Sequence, residues 1–186
     1  MPQSGFEDGF TVTTSGSLDT WVKEIHAKVP GAIEGYIYDQ LKLTVKDFFQ
    51  RTKAWRAYLG PFTAVAGDGT LCLNPVDAYS NVIQVLSVNV NLGRLHQIDL
   101  RDLGRVIASG GTATPNRFYL EPYHTIKLWP TPVADITDIY VTAALTPRLR
   151  TDNRIPEWIV DQHYEAIKAG TLQRLYQEPD KLYSNS

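Results

Sequence analysis

The chain has 186 residues, of which 43% are hydrophobic and 20% charged, and this composition is typical of a globular protein rather than of a disordered chain or a coiled coil. A net charge of −2 excludes a strong overall field directed at nucleic acid or an anionic membrane. The single cysteine, Cys72, excludes an internal disulfide and a Cys-rich metal site, and no apolar run approaches the roughly 18 residues of a membrane span.

The N-terminal region is predicted to begin with an arm. Residues 1–16 contain four Gly or Pro and show no helical period. Trp21, Ile25 and Val29 then recur every four residues, which predicts a short amphipathic helix that a Pro-Gly pair ends. Residues 17–57 are therefore predicted to supply the first part of a helical core.

A longer helix follows, because apolar residues step by four, four, four and three along it. These residues are Ile33, Ile37, Leu41, Val45 and Phe48. Beside this stripe lies a basic flank, which consists of Lys42, Lys46, Lys53 and Arg56.

The basic flank admits three interpretations. The segment 42–56 carries five Lys or Arg and one Asp, whereas residues 1–40 carry two Lys and six acids. The flank could be a solvated helix face, or it could contact phosphates of DNA. It could also meet an acidic surface of a protein partner, because opposite charges on neighbouring segments suit a contact between subunits.

Short β-branched and aromatic runs between turn residues fill 58–150 and predict a β lobe. No helix-length periodic segment separates these runs, so the sheet is predicted to be antiparallel. One hairpin should place Phe118 and Leu120 opposite Leu128 and Ile126. Cys72 is interpreted as a buried strand residue of this lobe.

Helical periodicity returns over 151–178, and residues 179–186 form a polar tail. The predicted apolar face of this last helix contains Ile159, Tyr164 or His163, Ile167, Thr171 and Leu175. Gly170 costs about 1 kcal/mol against Ala within a helix, which a close helix crossing would explain. The predicted fold class is α+β: a helical bundle from the N- and C-terminal helices with an inserted antiparallel β lobe.

The sequence offers little support for catalysis or for a cofactor. The four histidines are scattered, and no nucleophile elbow, phosphate loop or metal motif occurs. Asp99 and Asp102 are a conceivable acid–base pair, but interleaved arginines make a solvated ion-pair cluster the simpler interpretation. The predictions are therefore no enzyme, no cofactor and no metal, with a small hydrolase using these two aspartates as a minor alternative.

A ligand-binding module is the second alternative. Tyr119, Tyr123 and Trp129 crowd one predicted hairpin and could stack on a sugar. Core or interface packing explains the same aromatic residues. The alternative function is accordingly a ligand- or carbohydrate-binding module.

Two segments resemble head-to-tail adaptor proteins of tailed bacteriophages, of the tail tubular protein A or gatekeeper type. The first is LDTWVKEIHAKVPGAIEGYIYDQLKLTVKDFFQRTKAWR, and the second is IPEWIVDQHYEAIKAGTLQRLYQEPDKLYSNS. In the second, the matching residues are Glu165, Ala166, Ile167, Gly170, Leu172, Arg174, Leu175, Pro179, Lys181, Tyr183 and Ser184. Leu182 departs from the pattern, which has a second Pro there. The hairpin FYLEPYHTIKLWPTP matches at Leu128, Pro130 and Pro132.

The resemblance implies a structural virion protein that forms a ring, usually of twelve copies, between the portal and the tail. DNA would pass through the lumen without specific contacts, a tail nozzle or another neck protein would attach below, and assembly would take place in the host cytoplasm. No membrane is implied. Under the same resemblance, the ligand- or carbohydrate-binding alternative would be a module of a phage tail structure. The predicted protein interface consists of Lys42, Lys46, Lys53, Arg56, Tyr176, Pro179, Lys181 and Tyr183.

Overall fold

The computed structural model describes residues 14–73, 80–91, 93–108, 110–122, 125–148 and 154–178. These residues form two compact units. Unit 1 takes its described residues from Met1–Phe48 and Pro147–Ser186, and unit 2 takes them from Phe49–Thr146.

Unit 1 combines helices with a two-stranded sheet. Its elements are β1 (Thr14–Ser17), α1 (Leu18–His26), most of α2 (Glu34–Thr52), β10 (Arg154–Pro156) and α4 (Glu157–Tyr176). Strands β1 and β10 pair antiparallel, with Gly16 opposite Ile155. The last residues of the predicted N-terminal arm, from Thr14 to Gly16, therefore belong to strand β1.

The predicted apolar faces of α1 and α4 are confirmed. Trp21, Ile25 and Val29 are buried, and the buried residues of α4 are Ile159, Ile167, Thr171 and Leu175. The predicted apolar face of α2 is wrong at both of its ends. Ile33 precedes the helix and is 78% exposed, and Phe49 rather than Phe48 is fully buried.

Helix α4 packs against both α1 and α2, as predicted for the N- and C-terminal helices. The rings of Trp21 and Tyr164 meet edge to face with their centroids 4.9 Å apart. At the α2–α4 crossing, a Cβ added to Gly170 would lie 2.9 Å from Cγ2 of Thr44. The expected close crossing at Gly170 is thus confirmed.

The described residues of unit 2 form two four-stranded sheets and one complete helix. Its elements are β2 (Arg56–Ala64), β3 (Thr70–Cys72), β4 (Ser80–Val90), β5 (Gly93–Arg94), β6 (His96–Gln97), α3 (Leu100–Ala108), β7 (Arg117–Glu121), β8 (Thr125–Trp129) and β9 (Ile136–Pro147). The strand orders are β2-β9-β4-β5 and β3-β8-β7-β6. Buried aliphatic residues line one face of each sheet, since side chains alternate along a strand.

The β7–β8 hairpin confirms the predicted register. Phe118 lies opposite Leu128, and Leu120 lies opposite Ile126. Phe118, Ile126 and Leu128 are buried. By contrast, Cys72 is exposed, because Leu71 and Leu73 on either side of it point to the buried face.

The predicted helical bundle is wrong. Helices make up about 39% and strands about 38% of the structure, which is an α+β fold with a large sheet content. A bundle draws its core from helices, whereas in unit 2 the sheets supply buried residues such as Leu59, Ile139 and Val141. The lobe is also not purely antiparallel, because β6 and β7 pair in parallel through the crossover that contains α3.

Candidate assembly interface

Lys42 and Lys46 lie one helical turn apart on α2. Lys42 is half-buried, and its Nζ lies 4.4 Å from the centroid of the Tyr38 ring. Such a cation–π contact is worth about 0.5–1 kcal/mol at an exposed site and restrains the lysine. Lys46 is exposed. Lys42 therefore carries a positive charge that its ring contact holds in place, and Lys46 carries one that is accessible at the surface of α2.

Lys53 and Arg56 do not continue the helix. Helix α2 ends at Thr52, and Lys53 adopts a left-handed conformation with φ of 51°. The Lys53 amide donates to the carbonyl of Phe49 at 2.9 Å, which is the contact expected of a residue just beyond a helix C-terminus. Nε of Arg56 donates to the Lys53 carbonyl at 3.4 Å, and Arg56 begins β2. The predicted flank is thus two segments rather than one helix face.

Tyr176 is the last residue of α4 and is half-buried. The other three predicted contact residues of the tail, Pro179, Lys181 and Tyr183, lie outside the described residues. Arg174, in the last turn of α4, pairs with Asp47 of α2 at 3.1 Å. This ion pair ties the end of α4 to α2.

Glu24, one of the acidic residues of the N-terminal segment, forms its contacts within unit 1. Nζ of Lys168 lies 3.0 Å from Oε2 of Glu24, and the Tyr164 hydroxyl donates to the same carboxylate. Hydrogen bonds from Tyr164 and Lys168 lower the pKa of Glu24. Burial and the hydrogen bond to Glu24 raise the pKa of Tyr164, and hydrogen bonds to Tyr164 and Glu24 raise the pKa of Lys168. The sequence carries no local signal for this cluster, because Glu24 lies 140 positions before Tyr164 and 144 positions before Lys168.

The lowered pKa of Glu24 predicts an acid-dependent loss of stability. A carboxyl whose folded pKa lies below its ordinary 4.5 stabilises the fold above that pH, and the contribution disappears as pH falls through the folded pKa. Thermal unfolding of Glu24→Gln should therefore show a lower Tm than wild type at pH 7, with the two Tm values converging as the pH falls below 4.5. Asp39→Asn, which removes a carboxylate at an exposed position of α2, is the control for the loss of a negative charge. A Glu24→Gln difference that stays constant with pH would contradict the prediction.

The predicted ion-pair interpretation of the Asp99–Asp102 segment holds in part. Asp102 pairs with Arg105 at 3.1 Å on the surface of α3. Asp99 instead caps this helix, since its Oδ1 accepts the amide of Arg101 at 2.9 Å. Within the described part of the chain, no three His, Cys, Asp or Glu residues cluster as metal ligands would.

Two of the three aromatic residues of the predicted sugar platform share one sheet face. Tyr119 lies opposite Lys127, and Trp129 lies opposite Arg117, so all four side chains project to the same side of the hairpin. Tyr119 and Trp129 are both half-buried. Tyr123 lies outside the described residues. Among the described helices, none is long and apolar enough to cross a membrane.

A model of the SU10 adaptor protein family matches residues 16–185, which include both terminal helices, the sheets and the tail. The chain belongs to the SU10 adaptor protein family. The resemblance to phage head-to-tail adaptors is thereby confirmed. No curated protein matches the chain significantly.

Membership of the SU10 adaptor family makes the chain a structural phage adaptor. The family implies a component of the virion neck, with neck partners such as portal and tail proteins. For this adaptor the relevant surface is accordingly one that meets other proteins. The exposed lysine of α2 and the tail, which the family match includes through residue 185, are the candidate contacts.

Proposed function

We propose that this SU10 adaptor family member forms a ring between the portal and the tail, acting by binding rather than by catalysis. The ring would contain twelve copies, assemble in the host cytoplasm and surround the passing DNA without sequence-specific contacts. A tail nozzle or another neck protein would attach below it. The observation that carries the proposal is the family match over 16–185.

The charge distribution supports a protein contact rather than a DNA contact. The net charge of −2 supplies little attraction for phosphates, and DNA-binding affinity depends on many cationic contacts. A ring of identical subunits requires heterologous contacts, in which two different surfaces of each copy meet. Local positive charge on an otherwise slightly acidic chain suits one half of such a contact.

Mixing the chain with the portal protein of the same phage tests the proposal. Sedimentation velocity should show the chain moving with the portal in a complex larger than the portal alone, with several copies bound per portal ring. A chain that sediments as if the portal were absent at every salt concentration would overturn the proposal. A catalytically inert tail-fibre protein of similar size serves as the negative control.

Reversal of the α2 charges should weaken this association. The variant Lys42→Glu/Lys46→Glu should bind the portal complex about tenfold more weakly, because like charges facing each other at an interface oppose binding. Its circular dichroism should match wild type, since neither lysine is fully buried. Lys23→Glu/Lys28→Glu, which reverses two exposed lysines in and just after α1, is the matched control. If both double variants lost the same amount of portal affinity, the α2 lysines would not be part of the interface.

A further inference from the structure

Strand β2 has one edge that no strand of the described residues covers. It is the first strand of the sheet β2-β9-β4-β5, so it pairs with β9 on one side only. Its pairing with β9 is regular from Arg56 to Leu59, and register shifts follow between Leu59 and Phe62. A regular edge with unpaired backbone groups is a template for a further strand. The stretch 56–59 is therefore the part of this edge that can accept one.

The backbone groups of Arg56 and Tyr58 point away from β9. Arg56 lies opposite Ala144, so Trp55 lies opposite Leu145, and the Leu145 amide donates to the Trp55 carbonyl at 2.8 Å. In an antiparallel ladder, such hydrogen-bonded pairs alternate with pairs that share no hydrogen bond. Arg56 and Tyr58 belong to pairs of the second kind. Their amides and carbonyls therefore face the open edge.

The side chains at this edge are basic and aromatic. Arg56 and Tyr58 lie two residues apart, so they project to the same face of the sheet. Tyr58 is 64% exposed, and its ring stacks on that of Tyr140, with the centroids 5.1 Å apart and the planes 11° apart. Arg56 is exposed, and its Nε donates to the backbone carbonyl of Lys53. The edge suits an extended segment that has a carboxylate and, two residues later, an aromatic side chain.

The N-terminal arm carries this pattern in its sequence. Asp8 and Phe10 lie two residues apart, and Val12 continues the alternation with a threonine on either side. Residues 1–13 contain two acidic residues and no Lys or Arg, so their charge is opposite to that of the edge. When extended, the 13 residues before β1 span up to about 45 Å, which is long enough to reach an adjacent subunit.

We infer that residues 7–11 of one copy add a parallel strand to the open edge of β2 in a neighbouring copy. Asp8 lies beside Arg56 and Phe10 beside Tyr58, which requires the two strands to run in the same direction. The arm and the edge are different surfaces of each copy, so repetition of the contact joins copies head to tail, as a ring requires. The inference rests on the proposed ring and assigns one of its subunit contacts.

Proline substitutions in the arm test the backbone pairing. In the parallel ladder the Thr11 amide donates to the Tyr58 carbonyl, whereas the Val12 amide points away from β2. Proline has no amide hydrogen. Thr11→Pro should therefore weaken self-association of the full chain at least about tenfold in sedimentation equilibrium. Val12→Pro, the matched control, should associate to within about threefold of wild type.

Charge exchange distinguishes the arm of a neighbour from the arm of the same chain. Asp8→Arg and Arg56→Asp each place like charges side by side, so each variant alone should self-associate at least about tenfold more weakly than wild type. Mixed one to one, the two variants should regain association to within about threefold of wild type, because each arm then meets an edge of opposite charge in the other variant. An arm that lay on its own β2 would gain nothing from mixing.

A control mixture combines Arg117→Glu with Glu121→Lys. These variants reverse exposed charges on β7, which is an interior strand of the other sheet. Each variant and the mixture should associate as wild type does.

Three results would overturn the contact: equal weakening by Thr11→Pro and Val12→Pro, a mixture of the charge variants that associates no better than its components, or wild type that remains monomeric at about 1 mM. If wild type binds the portal in any of these cases, the neck function stands without this contact. If the mixture regains association but wild type fails to bind the portal, the neck function is wrong and the contact between copies stands.

Discussion

Gly170→Leu is expected to lower the free energy of unfolding by about 3 kcal/mol, because an added Cβ alone would lie 2.9 Å from Cγ2 of Thr44. Thr44 is buried, and its hydroxyl donates to the Gln40 carbonyl at 2.8 Å, so the methyl group cannot rotate away without loss of that bond. For a chain of this size the expected decrease in Tm is about 6–12 °C. Calorimetry or circular dichroism provides the measurement.

Thr44→Ser and Gly170→Ala, each alone and combined, distinguish the steric clash with Cγ2 of Thr44 from other effects of replacing Gly170. Serine retains the hydroxyl and removes Cγ2, so Gly170→Ala should destabilise wild type more than it destabilises Thr44→Ser. The double variant should have a higher free energy of unfolding than Thr44→Ser alone, because Ala is more favourable than Gly in a helix by about 1 kcal/mol. A Gly170→Leu protein whose Tm lies within about 1 °C of wild type would contradict the close crossing of α2 and α4.

Deletion of residues 179–186 is expected to weaken portal association by about 100-fold or more while the fold is retained. The tail is polar, it follows the last fully buried residue of α4, Leu175, and the family match continues through it to residue 185. Because this polar segment belongs to the family pattern, we propose that it docks on the portal or on a neighbouring subunit. Loss of a few anchoring side chains is sufficient for this effect.

Deletion of residues 184–186 alone is the matched control, because it retains Pro179, Lys181 and Tyr183. Sedimentation with the portal measures docking, and thermal unfolding measures retention of the fold. Unimpaired docking of the longer deletion would refute the role of the tail. Equal Tm values of the two truncated chains would show that the residues 179–183 do not stabilise unit 1.

Much of the helical architecture follows from local periodicity. Trp21, Ile25 and Val29 are buried as their spacing predicts, and Gly170 lies at a close crossing as its unfavourable propensity in a helix suggests. The β7–β8 register was predictable because both strands alternate and a short turn joins them. These features depend on residues that are close in sequence.

Pairings between distant segments were not predictable in this way. Strands β1 and β10 are short, and their partners lie about 140 residues apart, so neither carries a local signal. Helix α3 has only nine residues and contains Gly104. Its Asp99 cap followed by Leu100, Leu103 and Ile107 was the signal available for it. Without α3, the parallel pairing of β6 with β7 could not be inferred, because parallel neighbours require a crossover.

The candidate interface likewise contains features that local sequence predicts and features that it does not. The positions of Lys42 and Lys46 on one helix face follow from a spacing of four. The turn at Lys53 does not, because a left-handed backbone is uncommon for lysine and no glycine marks the helix end.

Electron cryo-microscopy of the assembled phage neck provides the most direct measurement of the adaptor function. We expect a closed ring of this fold between the portal and the tail, with DNA density in its lumen and residues 179–186 of each copy against the portal or an adjacent copy. A portal in direct contact with the tail, with no density for this chain between them, would contradict it.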